Sequence, residues 1–295
     1  MSSIIYKKNK KFYILLCLPA IVFYTLSVLY PLIGVTLPAS FFNWNILEGT
    51  KQFNGIENYI RLFKEEAFRD AMFFTLKLAV VTVLGSNILA FMVAYFLQAK
   101  IFAKGLSRAG FFIPNIINGI MVSFVWSFIF IQGIPILAKK IGFEKLASLS
   151  WFGTPSMAAV SVFIVTIWQG MGFIMTIYVA GMQSVSQELI EAAELDGCNR
   201  LQKVLYVVIP MMMPTITVCL FVSIAGAFKA FDIPFALTSG GPSRSTATVA
   251  LNIYDTAFTS FRTGYASAKS IVLFILVMIV ALIQLRCTRK KEVQL

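Results

Sequence analysis

The residues that could do chemistry in this 295-residue chain are few, and their types point away from covalent catalysis. It has no histidine, and Cys17, Cys198, Cys219 and Cys287 form no C-x-x-C pair. That argues against a structural zinc site and removes any His-based acid–base site, and no disulfide is expected. What remains is recognition by hydrogen bonds and surface charge. Gln169-Gly170 interrupts the apolar run Ile167-Trp168-Gln169-Gly170-Met171-Gly172-Phe173, where a side-chain amide is a default candidate for contact with a polar solute. Farther on, Glu188, Glu191 and Glu194 lie three apart and share a helix face. Ala192 and Ala193 among them allow close backbone approach, and Gly197 suits a left-handed helix end that reverses the chain. Ser184 or Ser186 reads as the cap of the first short helix. A helix lying on lipid favours Lys and Arg on its polar face. This one opens acidic, so it reads as a docking surface for a protein.

These residues need a frame of long apolar helices. Apolar residues make up 58% of the chain and charged residues 13%, too little charge for a soluble globular surface. Six runs have the roughly 20 residues needed to cross a bilayer: about 12–36, 71–98, 109–132, 156–182, 204–230 and 267–287. The run from Phe12 is too long for a signal-peptide core and reads as a retained span. The whole of 1–295 reads as one transmembrane domain. The net charge of +12 sits beside apolar runs, in Lys7, Lys8, Lys10 and Lys11 and in Arg286, Arg289, Lys290 and Lys291. That is a pattern for anionic membrane lipid, not nucleic acid. Placing the basic-rich segments inside puts both termini and the polar island 184–203 in the cytoplasm. Asn115 and Asn118 flank Pro114 and read as helix-capping residues, and Asn58–Phe63 as a short interfacial helix. Lys229 and Asp232, three apart at the outer end of the fifth run, read as an ion pair.

Two sets of residues carry a family resemblance. Glu191-Ala192-Ala193, Gly197 and the closing Val207-Val208-Ile209-Pro210 resemble the EAA signature of ABC-importer permeases, whose usual ending is Ile-x-Leu-Pro. Gly55-Ile56-Glu57-Asn58-Tyr59, Ala236-Leu237-Thr238-Ser239-Gly240-Gly241-Pro242 and Phe261-Arg262-Thr263-Gly264-Tyr265-Ala266 resemble the carbohydrate-type members, relatives of the larger maltose-transporter permease subunit. The resemblance implies an all-α, six-span permease of the type I importer fold. Glu188, Glu191, Ala192, Ala193, Asp196 and Gly197 would then couple it to an ATPase. It also implies a substrate pathway at Gln169, Gly170, Phe173, Ser223, Gly226, Ala227 and Ala230. At the last two the maltose pattern has amides. The alanines here argue against a tight internal sugar site of that kind.

The implied partners are a second, non-identical permease subunit, two ATPase subunits and an external solute-binding protein. ATP and magnesium would be bound by the ATPases. The string Gly264-Tyr265-Ala266-Ser267-Ala268-Lys269-Ser270 lacks the glycine before the lysine that a phosphate loop requires. The implied function is uptake of a sugar, an oligosaccharide above all, through a bacterial inner membrane. Glycerol-phosphate or another small polar solute is the alternative. An ion-coupled secondary transporter is disfavoured by the absence of acids and histidines from the span interiors.

Overall fold

The computed structural model describes residues 10–98 and 104–290; Lys7, Lys8, Lys100 and Lys291 lie outside them. Among the described residues five helices are long and apolar enough to span a membrane: α1 (Leu16–Ala39), α3 (Glu66–Phe96), α5 (Gly119–Lys140), α7 (Pro155–Gln183) and α12 (Thr263–Arg289). A sixth follows if α9 (Arg200–Met211) and α10 (Met213–Phe228), bent at 76°, count as one span. The shorter helices are α2 (Glu57–Lys64), α4 (Lys104–Ile116), α6 (Glu144–Ala147), α8 (Gln187–Leu195) and α11 (Val249–Tyr254). A two-stranded antiparallel hairpin, β1 (Phe42–Asn45) with β2 (Thr50–Phe53), pairs Phe42 with Phe53.

Two of the apolar runs do not fold as the uninterrupted spans their composition suggests. The run at 109–132 is split, with α4 ending at Ile116 and α5 starting at Gly119. Asn118 caps α5 by accepting from the Ile120 amide at 2.9 Å. The fifth run breaks at Met212, between Pro210 and Pro214, each of which lacks the N–H that would continue the helix. Among the described residues proline accompanies four of the five stretches in the π form, Asp255–Thr259 being the exception. Pro31 and Pro234 lie inside such segments, and Pro135 and Pro210 stand two residues after two others. A proline leaves the carbonyl four residues earlier unpaired, and a wider turn accommodates it.

The chain forms two compact units. One comprises the chain up to Lys64 with Ile253–Val272. In it Asn58 of α2 is buried and donates to the carbonyls of Ser40, at 2.8 Å, and Phe42, at 3.0 Å. These bonds fix the entry to the hairpin. Gly264 lies so close to the Phe42 carbonyl that no Cβ fits there. Lys269, in α12, is buried, donates to Thr256 at 3.0 Å and lies 4.5 Å from the Tyr265 ring centre. The Gly264–Ser270 string is thus helical, with its lysine turned to packing.

The other unit comprises Glu65–Asn252 with the chain from Leu273 onward. Its core is the packing of α7 against α3, α4 and α10. Ala90, Ala94, Met175, Tyr178, Met182 and Met212 form one buried cluster, and Phe74, Leu78, Phe130, Val162, Phe163 and Val165 another. Small residues set the spacing, as membrane helices require. A Cβ at Gly172 would collide with the Phe111 carbonyl of α4, and one at Gly181 with the Thr215 side chain of α10. Thr75, Thr82 and Ser86 on α3 satisfy their hydroxyls within the helix, donating to the carbonyl four residues back at 2.6–2.7 Å.

Candidate functional site

The expected pathway residues converge. Gln169, Gly170 and Phe173 of α7 and Ser223, Gly226 and Ala227 of α10 line one cavity of about 230 Å³. Ala230 is not in it. It lines an adjoining cavity of about 220 Å³, whose wall shares Thr166, Gln169 and Gly226 with the first. Gly170 and Gly226 have nothing within 4 Å of a built Cβ, so the lack of side chains there widens the space instead of serving helix contact. Gln169 has two roles. Its Nε2 donates at 2.9 Å to the carbonyl of Ile117, in the break between α4 and α5. That bond fixes the amide plane and leaves the Oε1 end able to accept a hydrogen bond.

Thr82, Ser86, Asn115 and Thr166 line the first cavity as well and were not foreseen from the sequence. The spacing of Thr82 and Ser86, four apart on α3, was the available signal. A further residue behind the wall carries the polar framework. Asn87, buried on α3, donates to Val83 O at 2.8 Å and to Ser223 Oγ at 2.9 Å, and accepts from Tyr178 Oη at 2.9 Å. Ser223 in turn donates toward the Cys219 and Leu220 carbonyls. One amide therefore ties α3, α7 and α10 together at the edge of the cavity.

The expected Lys229–Asp232 pair does not form. A spacing of three brings side chains together only while the helix continues, and α10 ends at Phe228. Asp232 instead packs on Gly119, the first residue of α5, where a Cβ would lie 2.8 Å from its own. A helix N-terminus is a favourable place for a carboxylate. Both residues line the second cavity.

The polar island folds as two short helices, α8 and the start of α9. Gly197 adopts φ +80°. The Cys198 and Gly197 amides donate to the carbonyls of Ala193, at 3.0 Å, and Glu194, at 3.1 Å, which is a Schellman stop. Of the two serines expected to cap α8, Ser186 takes the position without the side-chain bond, and Ser184 donates back to Gly181 at 2.7 Å. A capping box forms one helix later, between Asn199 and Gln202. The acidic face is partly neutralised, since Glu194 pairs with Lys203 of α9 and Gln187 donates to Glu191 at 3.2 Å. Ala193 is buried, whereas Glu188, Glu191, Ala192, Asp196 and Gly197 are exposed. Beside them Leu195 is 90% exposed, an apolar group with no cover in this chain.

Long apolar helices, a cavity among them with polar side chains at its wall and an exposed amphipathic helix pair are the features of a membrane permease. Residues 87–292 match the family described as binding-protein-dependent transport system inner membrane component. The chain is 33% identical to the "Probable starch degradation products transport system permease protein AmyD" of Thermoanaerobacterium thermosulfurigenes, over 98% of this chain and 97% of that one. It is 35% identical to the multiple sugar-binding transport system permease protein MsmF of Streptococcus mutans, over 86% and 87%. A solved chain from a bacterial ABC transporter involved in the import of the acidic polysaccharide alginate matches with TM-score 0.80 over 97% of both chains, at 20% identity, a likeness of fold. The chain belongs to the family of binding-protein-dependent transport system inner membrane components.

Proposed function

We propose that the chain is the permease subunit of an ATP-driven importer of a sugar, specifically an oligosaccharide, working by alternating access. The observation that carries this is the convergence of Gln169, Gly170, Phe173, Ser223, Gly226 and Ala227 on one cavity, in a family whose members move solutes. The substrate class follows the relatives named for starch degradation products and multiple sugars. The subunit pairs with a second, homologous but non-identical permease. An external binding protein delivers solute, and a related transporter has been solved with a periplasmic protein carrying an alginate pentasaccharide. Two partner ATPases hold ATP and magnesium and perform the hydrolysis; this chain does no covalent chemistry. Their closure is received by Glu188, Glu191, Ala192, Ala193, Asp196 and Gly197, with Leu195 as the apolar contact the sequence did not single out. The protein lies in a bacterial inner membrane with the α8–α9 knob and both termini in the cytoplasm.

The test is uptake by the complete complex in liposomes, with its ATPases and binding protein. Gln169→Ala removes an acceptor for a sugar hydroxyl, about 0.5–1.5 kcal/mol, or about 2–13-fold in KM. Unchanged kinetics for every sugar transported would remove Gln169 from the pathway.

A further inference from the structure

We infer that Lys229 and Asp232 form the polar wall of a second sugar subsite, so that the substrate spans two adjoining cavities with Gln169 at their junction. The inference rests on the proposed function. Each cavity, at about 230 and 220 Å³, is smaller than the roughly 300–1,000 Å³ of a pocket that holds a drug-sized ligand. They adjoin at Thr166, Gln169 and Gly226, and a substrate reaching across both would occupy a space within that range.

The chemistry of the second wall fits a neutral sugar ring. Lys229 and Asp232 are both exposed, and no ion pair joins them. An ammonium offers only donors and a carboxylate only acceptors. Two neighbouring hydroxyls of one ring satisfy both, one accepting from Lys229 and the other donating to Asp232. A paired lysine and aspartate would have used these groups on each other. Phe231 in the same wall gives apolar surface for the C–H edge of the ring. Asp232 is held in place by its contact with Gly119.

The experiment uses the complete complex in liposomes and a panel of neutral gluco-, galacto- and arabino-oligosaccharides, from disaccharide to hexasaccharide. Lys229→Met is expected to raise KM about tenfold or more for the longer sugars, the size of a lost hydrogen bond to a charged group, and Asp232→Asn, whose amide oxygen still accepts, by less. Disaccharide KM, complex yield and basal ATP hydrolysis should stay near wild type. Lys229→Arg should restore the longer sugars. Should Asp232→Asn weaken assembly through Gly119, Lys229→Met decides alone. An effect equal at all lengths, or none, overturns the second subsite. If those variants are silent while Gln169→Ala raises KM, only this inference fails. If the wild-type complex takes up no sugar of the panel, the functional reading fails first.

Discussion

Replacing Asn87 tests whether one buried amide holds the three helices of the cavity wall in register. Asn87→Leu keeps the bulk of the side chain and removes its cross-helix bonds to Tyr178 and Ser223. Ser223 keeps its bonds to the Cys219 and Leu220 carbonyls, at 2.8 and 3.1 Å, so it is not stranded. Tyr178 is different. It is 2% exposed, and the Asn87 oxygen accepts its hydroxyl proton. Without Asn87 the hydroxyl keeps only the weak thiol of Cys219 as a partner, and a poorly paired buried hydroxyl costs up to about 1–3 kcal/mol. A hydrogen bond between membrane helices contributes about 0.6 kcal/mol on average and about 1.7 at most, because the separated helices find other partners. The expected loss for Asn87→Leu is therefore about 1–2 kcal/mol. Tyr178→Phe takes the donor from the buried Asn87 oxygen and should cost about 1–2 kcal/mol as well. In the double variant the tyrosine hydroxyl is no longer there to be stranded, so it should be no less stable than Asn87→Leu alone. Unfolding of the assembled complex in detergent, followed by circular dichroism and by subunit release, gives the four corners of the cycle. Two losses that simply add, within about 0.3–0.5 kcal/mol, would refute the clasp.

Three other outcomes follow from the geometry. Gly197→Ala puts a Cβ at φ +80°, a strain of about 1–2 kcal/mol; liposome assays should show ATP hydrolysis retained and uptake per ATP reduced, and normal coupling would remove the turn from the mechanism. A cysteine placed at Ser243 should react with an impermeant thiol reagent in intact cells while the half-buried Cys198 stays protected; reversed labelling would invert the topology and with it the knob's assignment. Gly172→Ala drives a methyl into the Phe111 carbonyl, and overpacking of this kind costs about 1–3 kcal/mol; the complex should lose thermal stability, and an unshifted melting curve would show that α4 is free to move away.

Much of the frame was legible because a bilayer demands length and apolarity, and α1, α3, α7 and α12 lie where the runs are. Gly197 was legible because its left-handed turn excludes most other residues. Hydropathy carries no information on direction, so it could not show the 76° turn at Met212 or the break before Gly119. The prolines that cause the first were visible but not their combined effect. Asn87 escaped notice because a single amide in a long apolar helix has no periodicity, and its partners lie 91 and 136 residues away. Lys229 and Asp232 were misread because their spacing was taken as helical past the point where the helix ends.

With the knob coupled as proposed, the turn at Met212 would make α9 and α10 a bell crank. One arm begins at the knob, the other carries Ser223 and Gly226, and the fully buried Met212 is the pivot. At 1.5 Å of rise per residue, Gly226 stands about 20 Å along the second arm. A turn of the knob of about 10°, carried rigidly through the corner, would move Gly226 by about 3.5 Å. That displacement is as long as a hydrogen bond. On the proposed function, a modest swing at the membrane surface would be large enough, at the cavity, to part a sugar hydroxyl from its partner.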